Sequence, residues 1–140
     1  MDEAMRVGTP SPIRLVMAVP VVSTDPTMTL RTAAMALRDE DIGAVAVLGR
    51  DGLDGVLSER DIVRALAAGA DPDETSVASA MVDDPVSVGV ETPIGDVADL
   101  MLDTGIRHVP VIVGHDVVGM ASIRDVLDVI RSDQTKDAGA

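Results

Sequence analysis

The chain of 140 residues contains no Phe, Tyr, Trp or Cys. Without cysteine there is neither a disulfide nor a thiolate metal site, which fits a reducing compartment. Without aromatic rings there is no platform on which nucleic-acid bases could stack. Positive charge is also scarce: 11 Lys and Arg stand against 24 Asp and Glu, a net charge of −13. Such a surface repels a phosphate backbone, so no nucleic-acid partner is expected. The longest apolar run, "LVMAVPVV" at Leu15–Val22, is too short to cross a bilayer and contains Pro20. The N-terminus "MDEAMRVG" is acidic where a signal peptide would be basic. A cytoplasmic protein with no membrane partner is expected. Two His, without a carboxylate at fixed helical spacing, give no basis for a metal site.

The core must be built from Val, Ala, Leu, Ile and eight Met. A chain of this length predicts one domain that buries about two-thirds of its unfolded surface. Within it the sequence is written twice. Residues 17–69 lie over 81–133 at a constant offset of 64, without a gap. Met17 meets Met81, Ala34 meets Ala98, Asp39 meets Asp103, and Val45 and Val47 meet Val109 and Val111. "GVLSERDIV", Gly55–Val63, meets "GMASIRDVL", Gly119–Leu127.

Each copy predicts the same elements. A short strand at 21–24 (86–88 in the copy) precedes a helix marked by Leu30, Ala33, Ala34 and Leu37, or by Ile94, Val97, Ala98 and Met101. Thr92 is the expected N-cap of the second of these helices, with Pro93 at its first position. "AVAVL" at 44–48 and Leu53–Leu57 flank a turn, as do "HVPVIV" at 108–113 and Val117–Ala121, which predicts two hairpins. A second helix closes each copy. The predicted fold is α/β (α+β), two pseudo-symmetric β-α-β-β-α repeats over 12–71 and 76–132, packed through their sheets. Residues 1–11 and 133–140 are expected as flexible ends, and "AGADPDETS" at 68–76 as the linker.

The repeated G-x-x-S-x-x-D supports two readings. Ser58 and Asp61, or Ser122 and Asp125, form a capping box that starts a helix, the carboxylate also favoured by the helix dipole. Capping requires neither Gly55 and Gly119 nor the adjoining Arg60 and Arg124, however. A glycine lets something approach the backbone, an Asp accepts bonds from vicinal hydroxyls, and an Arg meets phosphate. Ribose and phosphate together are the groups of a nucleotide.

Carrying both motifs in register with "GIRHVPVIV" and an "M…PVSV" opening, the chain resembles a tandem pair of CBS domains, the Bateman module, over about residues 12–132. The resemblance implies a regulatory, non-catalytic module that binds an adenine nucleotide (AMP, ADP or ATP) between its repeats. S-adenosylmethionine and NAD are further ligands of the family. It also implies a homodimer and a regulated protein on another chain. By resemblance, one cleft would use Asp125, Ser122, Arg124 and Ala121, with Arg107 and His108 towards phosphate and Met17, Val22, Ile42 and Gly43 around adenine. The pseudo-symmetric cleft would use Asp61, Ser58, Arg60 and Leu57, with Met81, Val86 and Ile106 around the base. Gly43 and Ala44 stand where the second copy has Arg107 and His108, so the Asp125 cleft is expected to bind more tightly.

Three classes stand at this point: a nucleotide sensor, an oligomerisation or protein-interaction module with a vestigial site, and a small enzyme. No nucleophile–base pair is adjacent in sequence, and no Walker or dinucleotide glycine pattern occurs. Met35 and Met101 are expected on helical faces that a dimer would cover.

Overall fold

In the computed structural model, residues 6–138 are described, so the expectation of flexible ends at 1–5 and 139–140 lies outside them. A single 3-10 turn, Ile13–Leu15, precedes β1 (Ser23–Thr24), α1 (Leu30–Glu40), β2 (Ala44–Gly49), β3 (Gly52–Ser58) and α2 (Glu59–Ala67). A short α3 (Val77–Ala80) and β4 (Val82–Asp83) lead to β5 (Val88–Gly89), α4 (Ile94–Thr104), β6 (His108–Val113), β7 (Asp116–Ser122) and α5 (Ile123–Ala138). Both repeats therefore have the expected β-α-β-β-α order. β1 runs parallel to β2 and β5 to β6, as a helical crossover requires, and β2/β3 and β6/β7 are antiparallel hairpins. The duplication extends to irregularities. The bulge between Val47 and Leu48 recurs between Val111 and Ile112. Both α1 and α4 end in a left-handed residue, Asp41 (φ 53°) and Gly105 (φ 75°).

The hairpin strands are apolar on both faces because both faces are covered. Val45, Val47 and Leu57 pack against Leu30, Ala33 and Leu37 of α1 and Ile62 of α2. Val109, Val111 and Ala121 pack likewise against α4 and α5. On the opposite face, Ala44, Ala46 and Val56 meet Met120 of β7, so the repeats join through their sheets.

The segment leading into each repeat is built into the other repeat. Ile13 is fully buried in the second core, and its counterpart Val77 in the first. The Leu30 and Arg31 N–H groups at the start of α1 donate to the carbonyls of Thr75 and Pro72, both at 3.0 Å. At the start of α4, Ile94 and Gly95 donate to Ser11 and Thr9, both at 2.8 Å. These carbonyls satisfy helix-end donors that otherwise need a side-chain cap. They explain a departure from expectation: Thr92 does not cap α4, whose N-cap is Pro93 without a side-chain bond.

The chain then continues as an edge strand of the foreign sheet. β4 pairs with β3, Val82 opposite Val56, and Ala18 forms the equivalent bridge to Met120. Met81 and Met17 accordingly lie over the two motif glycines. A Cβ on Gly55 would stand 2.6 Å from the Met81 sulfur and the Val82 carbonyl oxygen, and one on Gly119 would stand 2.5 Å from the Met17 sulfur. What approaches the backbone at these glycines is the partner repeat's lead-in.

Thr9 N–H donates to Asp133 Oδ2 at 3.0 Å, and α5 continues as helix to Ala138. Of the two methionines expected on an exposed face, Met35 is 47% exposed, whereas Met101 is buried in the second core. One position further along the helix, the exposed residue is Leu102.

Two outcomes are expected. Each half without its foreign lead-in is near the lower size limit for a stable core, about sixty residues. The fragment 1–72, which lacks Val77, Met81 and β4, is expected to give neither a dispersed amide spectrum nor a cooperative melt. Gly55→Ala is expected to cost about 1–3 kcal/mol by overpacking. Combined with Met81→Ala, it should cost less than the sum of the two single changes in denaturant melts.

Candidate functional site

At the start of α2, Asp61 N–H donates to Ser58 Oγ at 3.2 Å. In return, Asp61 Oδ2 accepts the Ser58 N–H at 2.8 Å and its hydroxyl at 2.9 Å. The same box opens α5 more loosely, with 3.2 Å from Asp125 N to Ser122 Oγ and 3.3 Å from Ser122 N to Asp125 Oδ2. Both motifs therefore cap helices. Among the described residues only one oxygen of each carboxylate is used, and Oδ1 of Asp61 and of Asp125 takes no hydrogen bond. Capping and ligand contact are thus compatible roles for one Asp.

Beside Asp61 lies a cleft of about 350 Å³ between the repeats. The first repeat lines it with Val56, Ser58, Glu59, Arg60, Asp61 and Arg64. The crossing segment adds Val82, Asp84, Pro85 and Val86, and the approach to β6 adds Gly105, Ile106, Arg107 and His108. Arg60, Arg64 and Arg107 are exposed and make no ion pair among the described residues. Three guanidinium groups from the two repeats therefore border the same opening as the Asp61 carboxylate. Val86 and Ile106 give it an apolar wall. The arrangement offers cations for an anion, an acceptor for hydroxyl groups and an apolar surface for a flat ring.

The resemblance assigned Arg107 and His108 to the Asp125 cleft; in the structure both line the Asp61 cleft, and His108 feels the charges of both Asp125 and Asp61. The Arg107 backbone does touch α5, where Ile123 N–H donates to its carbonyl at 2.8 Å. Its side chain nevertheless lines the Asp61 cleft. Asp125 faces a separate recess of about 350 Å³, with Val7, Val16, Asp128, Val129 and Ser132. Met17, Val22, Ile42 and Gly43 are absent from that lining. Arg124 lines a groove along the outer side of α5 with Leu127 and Arg131. Val22 and Ile42 pack against the first core, and Met17 and Met81 cover the glycines. Leu57 and Ala121 have fully buried side chains, which leaves only their backbones for any ligand. The lining residues not singled out from the sequence are Val56, Glu59, Arg64, Val82, Asp84, Pro85 and Gly105. Arg64 could have been found from helical spacing, one turn after Asp61. Val82, Asp84 and Pro85 could not, because the crossing of the lead-in brings them there.

His108 sits where the repeats meet. Its Nε2 lies 2.9 Å from where a Cβ on Gly43 would stand, with a Glu59 carboxylate oxygen 3.6 Å from the same point. Burial is the main influence on its ionisation and pushes the imidazole pKa down. Glu59, Asp125 and Asp61 oppose this, and Arg107 reinforces it.

Comparison with known proteins adds a family to this geometry. The family model described as CBS domain matches twice, at residues 13–68 and 77–132. The chain belongs to the CBS-domain family. Hypoxic response protein 1 of Mycobacterium tuberculosis is 37% identical over 100 residues, 70% of each chain. The crystal structure of Hypoxic Response Protein I with two coordinated zinc ions superimposes with a TM-score of 0.74 at 32% identity, over 84% of this chain and 98% of that one. The CBS domain protein PAE2072 from Pyrobaculum aerophilum, complexed with AMP, gives a TM-score of 0.77 at 29% identity, over 86% and 98%. Among the described residues no group of three or more His, Cys, Asp or Glu could hold a metal ion, and no helix is long and apolar enough to cross a membrane.

The direction of the His108 shift fixes the sign of a pH effect. A folded-state value below the ordinary 6.5 means that the unfolded chain takes up this proton first on acidification. The contribution of neutral His108 is complete above that ordinary value and is lost as the pH falls below it. Wild type is therefore expected to lose melting temperature relative to His108→Gln between about pH 7.5 and pH 5. A difference that stays constant would contradict the shift.

Proposed function

We propose that the chain is a non-catalytic, ligand-sensing regulatory module that binds an adenine nucleotide, AMP, ADP or ATP, in the Asp61 cleft. The observation that carries this reading is the meeting, in one cleft between the repeats, of a carboxylate with a spare oxygen and three guanidinium groups that make no ion pair among the described residues. Asp61 Oδ1 accepts the ribose hydroxyls, Val86 and Ile106 flank the base, and Arg60, Arg64 and Arg107 meet phosphate. The AMP complex of PAE2072 supports the ligand class. Such a ligand contacts both repeats and stiffens their junction, which a regulated protein on another chain can read. The lack of cysteine fits a cytoplasmic setting.

Titration calorimetry with AMP and ATP, with S-adenosylmethionine and NAD as comparison ligands, tests the reading. Asp61→Ala should lower the affinity for the adenosine phosphates at least tenfold, since each charge-assisted bond contributes about 1.5–3 kcal/mol. The lost cap should cost only about 0.5–2 kcal/mol in a melt. An unchanged affinity in a folded Asp61→Ala protein would overturn the assignment.

The second reading, an oligomerisation or interaction module with a vestigial site, is favoured by apolar side chains left exposed on the helices. Val63 is 64% exposed, Leu102 78% and Leu127 53%, besides Met35. We propose that a homodimer covers part of this surface. Light scattering at micromolar concentration should give twice the chain mass, and a mass of 14.5 kDa would contradict it.

A further inference from the structure

The two repeats offer unequal clefts. At the offset of 64 residues, Arg64 corresponds to Asp128, Arg107 to Gly43, and His108 to Ala44. The Asp61 cleft therefore has cations at two positions where its pseudo-symmetric counterpart has an acid and a glycine. Asp128 is, moreover, paired with Arg131 at 3.3 Å. The loss at Gly43 also has a steric side. A Cβ there would stand 2.9 Å from His108 Nε2, so the second repeat's ring occupies the space in which a side chain from the first would have to start. At this point of the junction, the large His108 of the second repeat is matched by the small Gly43 of the first.

We infer that a phosphate-bearing ligand occupies one cleft per chain, that of Asp61, and that Arg64 and Arg107 select it there while Asp128 and Gly43 deny it the second site. The inference rests on the nucleotide reading above and adds stoichiometry and charge selection to it. Gly43 and Ala44 are then a packing requirement of a single-site module and not the trace of a decayed one.

Calorimetry of ATP on the full chain gives the stoichiometry per chain, and one is expected. Arg64→Asp reverses a charge on an exposed helical position outside the capping box, so the protein should melt as wild type does while ATP affinity falls at least tenfold. Asp125→Asn should leave the affinity within about twofold, since one tenfold step already corresponds to about 1.4 kcal/mol. Two equal sites per chain, an Arg64→Asp protein that binds like wild type, or a loss confined to Asp125→Asn would each overturn the inference; the last two would also remove Arg64 or the Asp61 cleft from the proposed site, while the adenine-nucleotide ligand class would stand. Failure of wild type to bind ATP or AMP at all would overturn both.

Discussion

The reciprocal exchange of lead-in segments is the constraint on which the rest of this structure depends. Each repeat supplies an apolar anchor, two helix-capping carbonyls and an edge strand to the other, through Ile13, Thr9, Ser11 and Ala18 in one direction and Val77, Pro72, Thr75 and Val82 in the other. A helix end with unsatisfied N–H groups and a sheet with an open edge are both costly, so neither repeat is complete alone. The units repeated in sequence and the units packed in space are therefore different segments. The same crossing brings residues 82–86 to the mouth of the cleft, which makes that cleft a product of the exchange.

The repeated motif has a structural cause at every repeated position. Glycine makes room for the partner's methionine, serine caps, and aspartate completes the box while using one oxygen. What distinguishes one cleft from the other lies where the repeats differ, at Arg64 against Asp128 and at Arg107 and His108 against Gly43 and Ala44. A strongly acidic chain can still carry an anion site, because three cations concentrated at one opening act over shorter distances than the net charge, which salt screens.

Local chemistry made much of the fold legible. The order β-α-β-β-α, both hairpins and the capping boxes follow from patterns within a few residues: alternation, helical periodicity, turn residues and the S-x-x-D spacing. The duplication was legible as well, since it is a property of the string itself. Where local reading failed, a distant segment had replaced a local partner. Thr92 looked like a cap, but the carbonyls of Thr9 and Ser11 occupy the donors at the start of α4. Met101 was expected on a face that a dimer would cover, but the second core closes over it.

The sequence by itself determined that two similar units exist, that each starts its closing helix with a capped aspartate, and that arginines lie close to those aspartates along the chain. Only the tertiary structure decided which arginine faces which aspartate. The family resemblance suggested Arg107 with Asp125, and backbone pairing does hold those segments together. The Arg107 side chain nevertheless lines the cleft of the other repeat, because the two sheets pack about a pseudo-twofold axis and the end of β6 faces α2 across it. Secondary structure follows from hydrogen bonds and side-chain spacing over a few residues. Membership of a cleft depends on how two sheets dock, and the string carries no local signal for that.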